Sequence, residues 1–167
     1  MIARFTSTGQ AAPVRKTRRS DDTSQRSRTS VGRATSRARW VGTTVVEAIH
    51  TMRNERVSAL VVSEDGAVIA GIVSDRGLMN TLADQGTAVL ERPLGEVMTR
   101  EVFTCSPGDS VGAIMAAMTN RRIRHIPVVG EDGRLCGIVS IGDVVKCHLD
   151  EIQREASELR EYISGAN

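Results

Sequence analysis

Aromatic residues are almost missing from this sequence, which has one Trp, one Tyr and two Phe in 167 residues. Its core must therefore be built from Val, Ile, Leu, Met and Ala, a set that suits short strands packed on short helices. Long apolar runs are also missing. None approaches the ~20 residues that span a bilayer, and no secretory signal pattern occurs, so a soluble, cytoplasmic protein without membrane contact is expected. Cysteine is scarce: Cys105, Cys136 and Cys147 form an odd set without close pairs. That argues against a disulfide framework and a zinc site, and leaves reduced, buried or half-buried thiols. Catalytic arrangements are missing too. His50, His125 and His148 share no ligand spacing with the cysteines, and there is no phosphate-loop lysine motif. No metal and no enzymatic activity are expected.

What is present is divided unevenly. Residues 1–42 carry ten Lys and Arg against two Asp, whereas residues 43–167 carry twelve against eighteen acids. The Ser/Thr/Arg-rich first part has too little apolar surface to offset its ordering entropy, so residues 1–40 read as a disordered basic tail. Two other readings stay open: a nucleic-acid or acidic-surface arm, and an organelle transit peptide that would place the protein in an organelle matrix. The first would want interleaved aromatics, and Trp40 stands alone. The second would want an amphipathic apolar stripe, which is not visible around Ile2 and Phe5.

A shift of 66 residues exposes an internal repeat. Val45 falls on Val111, Met52 on Met118, Asn54 on Asn120, Arg56 on Arg122 and Val62 on Val128, and Gly71-Ile72-Val73-Ser74 falls on Gly137-Ile138-Val139-Ser140. Apolar residues at helical spacing (Val45, Ala48, Ile49, Met52; Val111, Ile114, Met115, Met118) predict an opening helix in each copy. The β-branched runs Ala59–Ser63 and His125–Val129, followed by Asp-Gly at 65–66 and 132–133, predict hairpins with Val68–Val73 and Leu135–Val139. A second helix should start near Gly77 and near Gly142. The second copy has a further strand in front, Val102–Cys105, whose counterpart at Ser36–Arg39 lacks alternation, so the first copy reads as diverged at its start. The expected divisions are 41–85 for the first copy, 86–100 for a linker with a helical turn at Leu94–Met98, 101–148 for the second copy, and 149–167 for a helical extension. One copy of roughly 50 residues could hardly bury a core alone, so the two should pack sheet to sheet about a pseudo-twofold axis, leaving two related clefts.

Gly137–Val145, with its Gly-Ile-Val-Ser-x-x-Asp motif, and the run Asn120–Val129 together resemble the tandem cystathionine-β-synthase (CBS) domain pair, or Bateman module, of stand-alone type. The resemblance covers the chain from about Val41 onward. It implies an α/β (α+β) fold with two β-α-β-β-α repeats, adenosyl ligands (AMP, ADP, ATP or NAD(H)) in the clefts, and a homodimer that regulates another protein.

Ser140 leaves a strand and Asp143 enters a helix, so both lie at a helix N-terminus suited to anions. Ser140 could donate to a phosphate, the Asp143 carboxylate could accept from ribose hydroxyls, and Ile141 and Gly142 lie between them, Gly142 allowing close backbone approach. The same Ser-x-x-Asp also reads as a helix-capping box, and the two roles can coexist. The first copy keeps Ser74 but has Gly77 in place of the acid. The stronger site is therefore expected at Asp143, and a weaker or different one at Ser74, with Arg76 as a phosphate contact. By the resemblance, Val57, Ser58 and Ala59 would line the Asp143 cleft and Ile123, Arg124 and His125 the other. Arg124 could also reach the phosphate at Asp143, with a solvated charge as its alternative. Thr104 matches a family position near the ligand, with Ala38 as its counterpart. Past Val145, the apolar residues Leu149, Ile152, Ala156, Leu159 and Ile163 form a narrow seam that packs either on its own module or on a second subunit.

Overall fold

The computed structural model describes residues 38–164. The basic segment up to position 37 lies outside these residues, and with it the alternatives weighed for the tail. The first repeat runs β1 (Ala38–Trp40), α1 (Val45–Glu55), β2 (Ala59–Ser63), β3 (Ile69–Ser74) and α2 (Asp75–Gln85). A 3-10 turn (Thr87–Glu91) and the short α3 (Leu94–Val97) connect it to α4 (Val111–Arg121), β4 (His125–Val129), β5 (Leu135–Ser140) and the long α5 (Ile141–Ser164).

The 66-residue repeat in sequence is a repeat in geometry. Both hairpins are antiparallel, with Ala59 opposite Ser74 and His125 opposite Ser140, and each shifts register one residue before its strand ends, at Val62/Ser63 and Val128/Val129. The opening helices are capped alike: the Thr44 hydroxyl accepts from the Glu47 amide and the Ser110 hydroxyl from the Ala113 amide. Both helices end on an arginine in the left-handed region, Arg56 (φ 53) and Arg122 (φ 55). Each second helix is tied to its own hairpin, Asp75 N to Ser58 O at 3.0 Å and Ile141 N to Arg124 O at 2.8 Å.

At the leading strands the structure reverses the expectation. Ala38–Trp40, inside the expected tail, pairs in parallel with Val61–Ser63. Val102–Cys105 forms no strand and keeps one parallel bridge, Cys105 to Val128. The cause is Pro127, the counterpart of Val61. Cys105 donates to Pro127 O at 3.0 Å and accepts from Val129 N at 2.8 Å. The next bond of a parallel ladder would need an N–H from residue 127, which proline lacks.

Each repeat has its own apolar core, Val45, Ala48, Met52, Leu60, Val62, Val73 and Leu78 in the first, and Val111, Ile114, Met118, Ile126, Val128, Val139 and Val144 in the second. Leu94, fully buried, anchors the linker in the first core. A third cluster joins the repeats: Ala59, Val61 and Ile138 are buried among Ile69, Ile72 and Leu135, and Leu135 N donates to Ala67 O at 2.7 Å. The sheets therefore pack face to face, as a half-sized unit requires.

Candidate functional site

The linker makes the clefts unequal. After α3 the chain crosses onto β3, where Ile72 and Thr99 exchange both backbone hydrogen bonds at 3.0 and 2.9 Å. Beyond this crossing, Thr99 and Glu101–Phe103 line a half-open cavity of about 310 Å³ together with the start of α2. Its walls come from both repeats: Ile72–Leu78 from the first, and Val97, Thr99, Glu101–Phe103 and Arg121–His125 from the linker and the second. The volume lies at the lower end of the range for small-molecule sites.

Inside, Leu78 is buried and Ile72, Val102, Phe103 and Ile123 are half-buried, which gives an apolar interior. The rim is cationic. Arg76, Arg121, Arg122 and Arg124 are exposed there, with Asp75 and Glu101 as the acids. The Arg121 guanidinium lies over the Phe103 ring, 4.3 Å from its centroid, and Arg124 lies 3.4 Å from an Asp75 oxygen. Ser74 caps α2 by accepting from the Gly77 amide at 3.2 Å, which leaves its hydroxyl proton free to be donated. His125, also in the wall, shares a hydrogen bond of 3.0 Å with the Ser58 hydroxyl, linking the two repeats.

At the other cleft the Ser-x-x-Asp motif is a closed capping box. One Asp143 oxygen, Oδ2, accepts from the Ser140 amide at 2.9 Å and its hydroxyl at 2.6 Å, while the Asp143 amide donates to Ser140 Oγ at 3.2 Å. Asp143 Oδ1 accepts nothing among the described residues. By the 66-residue correspondence, the counterpart of 97–103 is 31–37, which lies outside the described residues.

The expected site residues therefore divide as follows. Ser74, Arg76, Ile123, Arg124 and His125 come together in the half-open cavity. Ser140, Ile141, Gly142 and Asp143 stand at the N-terminus of α5. The Arg124 side chain belongs to the Ser74 cavity and pairs there with Asp75. Only its carbonyl turns toward the second motif, accepting from Ile141 N. Ala59 is buried between the sheets, Val57 packs on the first core, and Ser58 is engaged through its carbonyl with Asp75 and its hydroxyl with His125. Thr104 is half-buried beside the cavity, whose wall is built from its neighbours Val102 and Phe103. Sequence reasoning missed Arg121, Arg122, Phe103 and Asp75. The first two carried a signal, a run of arginines just ahead of a strand. Among the described residues no three His, Cys, Asp or Glu gather as a metal group, and no helix is long and apolar enough to cross a membrane.

Comparison with known proteins agrees with this geometry. The CBS domain family matches residues 40–84 and 94–150. The chain is 38% identical over 126 residues to the mitochondrial CBS domain-containing protein CBSX3 of Arabidopsis thaliana, covering 73% of this chain and 61% of that longer one. The CBS-domain protein ATU1752 of Agrobacterium tumefaciens superimposes with a TM-score of 0.64 at 36% identity, over 71% of this chain and 85% of its own. Arabidopsis CBSX2, solved in complex with AMP, shares the fold with a TM-score of 0.58 at 24% identity, over 72% of this chain and 89% of its own. With two matched repeats, shared hairpin registers and a long closing helix, the chain belongs to the CBS domain family as a tandem CBS pair.

Proposed function

We propose that this protein is a regulatory module that binds an adenosyl nucleotide between its repeats and passes binding on to a partner protein as a change in their relative geometry. The observation that carries this reading is the dual origin of the cavity. Its apolar interior suits a base and its arginine rim suits phosphate. Because both repeats contribute to the wall, a bound ligand has different contacts in different repeat arrangements, the condition for shifting between them. The Asp143 cleft is the second site, where Oδ1 can accept from a ribose while Oδ2 keeps the cap. AMP in the related fold of CBSX2 supports the ligand class.

Thermal shift with AMP, ADP, ATP, NAD, NADH and S-adenosylmethionine, on the full chain and on Asp143→Ala, tests this. Ligand at a hundred times its Kd stabilises by about 2.7 kcal/mol, a rise of several degrees in Tm for a domain of this size. A panel in which no adenosyl compound moves Tm overturns the reading and leaves a dimerisation adaptor with vestigial clefts.

A second copy is the proposed partner of α5. Val145, Leu149, Ile152, Leu159 and Ile163 are all exposed, so the seam is not used within the module, whereas Val144 is buried against the second core.

A further inference from the structure

Resting on the reading that the inter-repeat clefts bind a nucleotide, we infer that the Ser74 cavity recognises the polyphosphate chain of its ligand and dispenses with the ribose hydroxyls. The chemistry of the equivalent positions diverges. Around Ser74 stand Arg76, Arg121, Arg122 and Arg124. Their counterparts 66 residues away are Gly142, Glu55, Arg56 and Ser58. Four cations thus face one cation and one anion across the pseudo-twofold axis.

The serines diverge in the same direction. Ser140 gives its proton to Asp143 at 2.6 Å, whereas Ser74, with Gly77 in the equivalent place, has no carboxylate acceptor among the described residues and keeps its proton for a ligand. The Ser74 cavity is therefore rich in donors. Its two acids do not cancel them: Asp75 is shared with Arg124, and four guanidinium groups outnumber Asp75 and Glu101 by two. Arg76 and Arg122 have no ion-pair partner among the described residues, and Arg121 is held over Phe103 at the rim. Unneutralised arginines held beside an apolar hollow match a base or other apolar group trailing several phosphates.

Calorimetric titration of the full-length Asp143→Asn variant isolates this cavity, since the amide retains a capping oxygen but loses the ribose-binding charge. The ligands are AMP, ATP, 2′,3′-dideoxy-ATP and inorganic tripolyphosphate. ATP should bind at least about tenfold tighter than AMP, and dideoxy-ATP within about threefold of ATP, since each added charge-assisted bond is worth about a factor of ten. Arg121→Gln with Arg122→Gln should bring ATP to the affinity of AMP while AMP moves less than about threefold. AMP binding as tightly as ATP, or a loss of about tenfold for dideoxy-ATP, overturns the inference and leaves the nucleotide reading intact. Tripolyphosphate binding with no nucleotide bound overturns the nucleotide reading and leaves the anion preference. Silence from all four ligands overturns both.

Discussion

Gly71 stands where a side chain has no room. A Cβ built on it would lie 2.5 Å from Met98 Sδ and 2.9 Å from the Thr99 carbonyl, and that carbonyl is the acceptor holding Ile72. The methionine can swing away; the backbone can yield only by loosening the crossing beside the cavity. Gly71→Ala should therefore cost about 1–3 kcal/mol of stability in denaturant titration, as overpacking does. It should also weaken nucleotide binding more than Gly66→Ala, whose Cβ meets nothing within 4 Å although its positive φ (76) is itself strained. Equal loss of binding in the two variants would show that the crossing does not shape the site. Cys105 is also tightly placed. Burial first, then the nearby Asp109 charge, push its thiol up to about 11, so it stays protonated near neutrality; Cys136, expected to be at least half-buried, is instead exposed.

At the scale of the element, helices and hairpins were legible because their signals are local. The apolar spacing of Val45–Met52 and Val111–Met118 and the Asp-Gly turns need no knowledge of partners. The leading strands were not legible. Ala38–Trp40 has no alternation yet pairs with Val61–Ser63, and Val102–Cys105 has strand composition yet meets Pro127. Which run pairs was decided by an amide on another strand. The resemblance put Ile123, Arg124 and His125 beside Ser74 and Arg76, and these residues line one cavity; Arg121, Arg122 and Phe103 were not legible, since their meeting with Ser74 depends on how the second repeat and the linker pack on the first. The α1 cap provides a direct check on local signals. Thr44 and Glu47 form a reciprocal box, the Thr44 amide donating to Glu47 at 2.8 Å and the Glu47 amide to Thr44 at 3.4 Å. Thr44→Ala should cost about 1 kcal/mol. The backbone bond from Thr44, then its hydroxyl, hold the Glu47 carboxyl below its ordinary 4.5. A depressed carboxyl stabilises the fold above its unfolded pKa, and that contribution fades as pH falls below 4.5 through the lowered value. Because the Thr44 amide is kept in Thr44→Ala and only the hydroxyl is lost, stability measured from pH 7 downward should fall slightly less steeply below pH 4.5 in the variant than in the parent; parallel curves would mean the hydroxyl contributes nothing to the lowered carboxyl.

At the scale of the whole molecule, α5 leaves an apolar face exposed. A helix of 24 residues is about 36 Å long at 1.5 Å per residue, so it extends well past the packed module. Its first turns are anchored by Val144, buried in the second core, but Leu149, Ile152, Leu159 and Ile163 are 47–70% exposed. With the half-buried Ala156 between them the spacings alternate three and four, a seam that two parallel or antiparallel copies can share. Each such side chain buried between copies would contribute about 1.5–3 kcal/mol, so four per helix would suffice to drive association at micromolar concentration. Truncation before Asp150 removes three of the four and leaves Val144 and the cavity in place. The full chain should elute with twice its 18.0 kDa mass and the truncated chain as a monomer, at a Tm that no longer depends on protein concentration. A truncated chain that remains dimeric would move the interface to another surface. A full chain that is monomeric, and loses several kcal/mol on truncation, would mean that the seam folds back onto its own module. Because α5 begins at Ile141, within the Ser140–Asp143 motif, a dimer built on this helix would fix one wall of the second cleft, and nucleotide affinity there should then rise with the dimer fraction.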